Sequence, residues 1–248
     1  MDLLAFKVLA SPLLLLAASL AARRWGDTVG GLWVGLPLTS GPISLFLSLE
    51  HGANFAADAT HGSLEATVAQ AAFALAYSIR ATRGVVAALS AACAAFAISA
   101  SLLQWSAFGQ TELFGVAVVS MWLALRFIPR DDTGAVSTDT PCWNLPARMI
   151  VIAALVITVT KVAPLLGPTV SGTLASFPFM GVILAIFAHR SPGGPAARRV
   201  MRGMVAGLLS FATFFYVVCL LLVKASIPWP TSAPSPPRFS CRRLLIVG

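Results

Sequence analysis

Runs of about twenty apolar residues, each long enough for a helix to cross a hydrocarbon core about 30 Å thick, recur along most of this chain. Eight can be read: Leu3 to Ala22, Val29 to Leu49, Leu64 to Ile79, Gly84 to Ser106, Gly109 to Phe127, Ala147 to Leu166, Pro168 to Ala188 and Val200 to Val223. Only 10% of the 248 residues are charged and 58% are hydrophobic, against about 25% charged in a soluble domain. The expectation is an all-α, polytopic integral membrane protein with the lipid bilayer as its first partner.

The net charge of +8 does not point to nucleic acid, because the basic residues form no stripe beside aromatics. They lie instead in alternate connections. Arg23 and Arg24 follow the first span, Arg80 and Arg83 the third, Arg126, Arg130 and Arg148 surround the fifth connection, and Arg190, Arg198, Arg199 and Arg202 fill the seventh. The other loops carry Glu50, His51, Asp58, His61, Glu65 and Glu112 and no arginine. Positive charge gathers on the cytoplasmic side, so this alternation predicts an N-terminus outside. A cleaved signal is not expected, since "MDLLAFK" lacks a net positive charge ahead of the first apolar run.

Two segments disturb the apolar pattern, and they match. "GDTVGGLWVGLP" (Gly26 to Pro37) and "GPTVSGTLASFP" (Gly167 to Pro178) align without a gap at an offset of 141 residues. Gly, Thr, Val, Gly and Pro coincide at five positions. An offset of five spans reverses the direction of the second copy, so the pattern predicts an inverted-topology repeat. The expected organisation is a first repeat over 1–127, a cytoplasmic linker over 128–146, a second repeat over 147–224 and a Pro/Ser-rich tail over 225–248. With five helices in the first copy and three in the second, the second is expected to be truncated, and a homodimer would restore the missing surface.

Inside each copy, Gly31 with Gly35 and Gly172 with Ser176 form small-x-x-x-small pairs that let another helix approach closely. The expectation is that each copy packs against its inverted twin. Pro37 and Pro178 break the helix and free backbone groups that need a protein or water partner. In the first copy the interruption runs on through Thr39, Ser40 and Gly41; in the second, Thr173 and Ser176 supply hydroxyls. Gly/Pro interruptions at matching places mark a substrate site at the midplane of inverted-repeat transporters. Pro37, Thr39, Ser40, Gly41, Thr173, Ser176 and Pro178 are therefore the candidate solute-binding residues, with Lys161 as a charge at the outer mouth.

No carboxylate is expected at the bilayer centre, and Gln70 and Gln104 are the polar residues expected to face the interior or to bridge helices. No motif of nucleotide, zinc-protease or serine-hydrolase chemistry occurs, so neither an enzyme nor a cofactor or metal is expected. His51 and His61 are ten residues apart on a segment read as an irregular outer loop, which is not metal-ligand spacing. Cys93, Cys142, Cys219 and Cys241 have no redox or metal spacing either.

Residues Ser171 to Leu222 resemble small bacterial inner-membrane proteins of the GlpM kind. The resemblance rests on Gly172, Phe177, Pro178, Gly193, Arg198, Gly203, Phe214 and Tyr216. It implies a bacterial inner-membrane location and no particular activity. The function expected from the residues is a transporter or permease-like protein for a small solute, with a non-transporting membrane scaffold or assembly partner as the alternative.

Overall fold

The computed structural model describes residues 3–37, 53–106, 108–130, 144–162, 176–190 and 193–224. Among them there is no strand, and eight α-helices follow in order: α1 (Leu3–Trp25), α2 (Asp27–Gly35), α3 (Ala53–Arg80), α4 (Val85–Gln104), α5 (Gln110–Phe127), α6 (Asn144–Val162), α7 (Phe179–Arg190) and α8 (Gly194–Lys224). The regular structure of the described residues is all-helical. Among them, two helices, Val85–Gln104 and the Gly194–Leu221 part of α8, are long and apolar enough to cross a membrane by length and composition.

Polar contacts between distant helices collect the arginines at one end of the bundle. The Arg148 guanidinium, in the first turns of α6, donates to Ser19 Oγ in the last turns of α1 at 3.2 Å. Arg198 at the start of α8 donates to the Ser78 carbonyl near the end of α3, and Arg202 to the Leu125 and Ile128 carbonyls at the end of α5. A helix C-terminus leaves carbonyls without intrahelical partners, so these guanidinium groups satisfy the ends of α3 and α5 while bringing α8 against them. Chain reversals at this end use Gly26 and Gly84, at φ 95° and 97°, a backbone region open almost only to glycine.

These contacts also fix helix directions. The start of α6 meets the end of α1, and the start of α8 meets the end of α3, so each pair is antiparallel.

Two expectations need correction. α3 starts at Ala53, eleven residues before the expected span, so His61 stands on a helix and not on an irregular loop. There its ring bonds Gln110 Oε1 at 2.9 Å and faces Glu65, one turn on, at 3.5 Å. α8 starts at Gly194, which puts Arg198, Arg199 and Arg202 on helix, where Arg198 and Arg202 donate to carbonyls of packed helices and Arg199 to the Asp27 carboxylate. Of the expected spans Val29 to Leu49 and Pro168 to Ala188, the described residues include α2 and α7, and residues 38–49 and 168–175 lie outside them.

The core is filled by α8 between α2, α3 and α7, with Phe73, Tyr77, Met201, Met204 and Phe215 fully buried. The two halves therefore share one interior.

Candidate functional site

Both repeated prolines stand where a helix ends or begins. α2 stops at Gly35, and Leu36 is extended (φ −75°, ψ 150°), the conformation required of a residue before proline. α7 starts after Pro178, whose carbonyl accepts from Val182 N–H at 2.9 Å. At 1.5 Å per residue, α2 extends about 13 Å and α7 about 18 Å, roughly half of a 30 Å apolar layer. α2 rises from the arginine end and α7 descends to it, ending at His189 and Arg190. Their broken ends meet midway: a Cβ placed on Gly181 would stand 3.7 Å from Val34 Cγ1.

The second break is held by α3. Gln70 Nε2 donates to the Ser176 carbonyl at 2.8 Å, across 106 residues of sequence. Phe177 lies edge-on to Phe73 (5.4 Å) and Phe96 (5.2 Å) and contacts Phe179 at 4.8 Å. Edge-to-face contacts add about 0.5–1.5 kcal/mol each beyond burial, so Phe177 anchors the break between α3 and α4. The bridging role read for Gln70 is the one it takes.

The first break is held by α8 through glycine. A Cβ on Gly35 would stand 2.9 Å from Gly207 Cα, and a Cβ on Gly207 would stand 2.8 Å from Gly35 Cα. One turn earlier, Gly31 faces the Val200 carbonyl and Gly203 faces the Thr28 carbonyl and the Leu32 nitrogen. Two G-x-x-x-G faces, "GLWVG" and "GMVAG", touch backbone to backbone, and residue numbers rise together, so α2 and α8 are parallel. This corrects the expectation that the glycine face of the first copy meets its inverted twin. Gly203 and Gly207 cover it, and their own four-residue spacing was the available signal.

Below the crossing, Arg199 Nη2 bonds Asp27 Oδ2 at 2.9 Å and its Nε the same oxygen at 3.2 Å. Burial pushes the Asp27 carboxyl up from 3.8, and the Arg199 guanidinium opposes that shift without cancelling it.

Comparison with known proteins returned nothing: no family model, no curated protein and no solved structure matches the chain.

Of the sequence-derived candidates, Pro37, Ser176 and Pro178 lie at the two breaks, and Gly31 and Gly35 form the crossing with α8. Lys161 is in the last turn of α6. Thr39, Ser40, Gly41, Gly172 and Thr173 lie outside the described residues. Gly203, Gly207 and Phe177 complete the site and were not among its sequence-derived members.

Proposed function

We propose that the chain is a multi-pass membrane protein that moves a small solute by rocking one inverted repeat against the other. The observation that carries this reading is the pair of helices broken at corresponding positions, after Gly35 and before Phe179, with their open ends meeting midway through the bundle. Such paired breaks expose backbone N–H and carbonyl groups at a depth where only a ligand, water or protein satisfies them.

The outer surface supports placement in a bilayer. On α4, Val86 and Leu102 are 82% and 68% exposed and no charge interrupts the helix. Water would penalise that face by about 25 cal/mol for each Å2 of apolar area, whereas lipid does not. Exposed Trp25 and Phe127 stand near the arginine end and Trp105, 92% exposed, near the other, the arrangement of interfacial aromatic belts. The arginine end then faces the cytoplasm, the N-terminus faces out, and the membrane is a bacterial inner membrane. On this reading eight spans, five and three, form the two repeats.

The Gly35–Gly207 contact supports a second reading, a static scaffold or assembly partner, because backbones in contact lock the first repeat to the second. Solute flux into proteoliposomes separates the two. Under the transport reading flux occurs and is lost in Pro37→Ala and Pro178→Ala while the fold persists; a folded protein that moves none of the tested solutes supports the scaffold.

A further inference from the structure

His61 joins two helices at the end of the bundle opposite the arginines. Its Nδ1 lies 2.9 Å from Oε1 of Gln110, the first residue of α5, and its Nε2 lies 3.5 Å from Oε1 of Glu65, one turn on along α3. Both ring nitrogens therefore face acceptors. A neutral imidazole has one N–H, whereas the imidazolium has two, one for each acceptor. Gln110 reports the same state from its own side: it is 2% exposed, yet its Nε2 is buried with no partner among the described residues. Beside a neutral ring protonated on Nε2, a reversed amide would point that nitrogen at Nδ1 and give it an acceptor. Holding Oε1 toward the ring leaves a buried donor unmatched, and the stronger hydrogen bond from a charged N–H compensates for it.

The charged residues at this end favour the proton. On α3 they are Glu65 and, three residues before His61, Asp58; on α5 the acid is Glu112, whose Oε2 accepts from the Gly109 N–H at 3.0 Å. α4, packed on α3, carries no charged residue, and α8, packed on both α3 and α5, ends at Lys224. Acids outnumber the single base.

We propose that His61 binds a proton that clasps α3 to α5 at this end. With the proton bound, Nδ1–H donates across the helices to Gln110 and Nε2–H donates along α3 to Glu65; when it leaves, one of the two acceptors loses its donor. The fold supplies both acceptors and the unfolded chain does not, so the folded chain holds the proton more tightly. The added stability is complete below the free side chain's value of about 6.5 and is lost as pH rises through the higher value of the folded ring. This inference stands apart from the transport reading, because it is read on the purified chain without solute.

The test is histidine NMR of the full chain in detergent micelles between pH 5 and 9, with His61→Asn identifying the signal among the three histidines. His61 is expected to titrate about one pH unit or more above 6.5, a proton affinity about tenfold higher than that of the free side chain. Gln110→Leu, which removes the cross-helix acceptor, should lower that midpoint, and Gln110→Glu, which keeps an acceptor and adds a charge, should raise it. A general loosening of the fold would not move the two in opposite directions. Glu65→Gln should lower the midpoint as well, and this arm holds even where a substitution at 110 unfolds the chain. A His61 midpoint at or below 6.5 in the native chain, or one that none of these substitutions shifts, would overturn the proposal.

Discussion

Arg199 Nη2 and Asp27 Oδ2 are 2.9 Å apart, and this contact ties the second turn of α8 to the first turn of α2 beneath the glycine crossing. Both side chains are mostly covered, so removing one charge strands the other in a poorly solvated place. Arg199→Gln is expected to cost about 1–3 kcal/mol, read as a lower midpoint of thermal unfolding in detergent.

The same carboxyl gives a pH dependence of definite sign. Its value in the fold is raised above 3.8, so between 3.8 and that raised value the folded state binds more protons than the unfolded one. Stability therefore falls as pH rises through this window. Unfolding midpoints measured across it are expected to decline with pH in the native chain and to lose that component in Asp27→Asn.

Glycine substitutions divide by what a Cβ would meet. Gly207→Leu drives a side chain into the Leu32 carbonyl and Gly35, and is expected to destabilise by about 3 kcal/mol or more. Gly115→Ala, on α5 with nothing within 4 Å, is expected to stabilise by about 0.5–1 kcal/mol through helix propensity. Thermal midpoints of the two variants should move in opposite directions.

Gly84 separates backbone strain from packing. Its φ of 97° disfavours any side chain, yet a Cβ there meets nothing within 4 Å. Gly84→Ala is expected to cost about 1–3 kcal/mol through strain alone, with no change in the contacts of α3 or α4. Denaturant titration should report a lower midpoint at an unchanged slope.

Gln70 holds the second break by a single donor. Gln70→Leu keeps the volume but removes this bond to the Ser176 carbonyl, at an expected cost of about 0.5–1.5 kcal/mol. Under the transport reading, flux should fall in this variant even where purified protein remains folded and monodisperse.

Local chemistry made some of this legible and long-range partners hid the rest. The breaks at Pro37 and Pro178 follow from rules confined to neighbouring residues, a missing N–H and a restricted preceding residue, so they stood out in the sequence. The gathering of arginines at one end followed from their alternation between connections. The partner of Gly31 and Gly35 did not, because Gly203 and Gly207 carry the same spacing as Gly172 and Ser176, and spacing alone does not choose between faces. Arg198, Arg199 and Arg202 read as loop residues because hydropathy registers charge and not the acceptors that meet them, carbonyls at the ends of α3 and α5 for Arg198 and Arg202 and the Asp27 carboxylate for Arg199. The helical start of α3 was hidden for a similar reason: polar residues such as His61 look like loop until Gln110 is brought beside them.

The central claim is that the two breaks border a path reached by water. In a variant lacking its four native cysteines, Leu36→Cys and Ser176→Cys, introduced separately, should react with a membrane-impermeant maleimide far faster than Ala117→Cys, which replaces a fully buried residue of α5. Labelling of both positions, with access from the two faces of the vesicle shifting when solute is added, is the predicted result. Both positions as inert as residue 117 from either face would contradict the account.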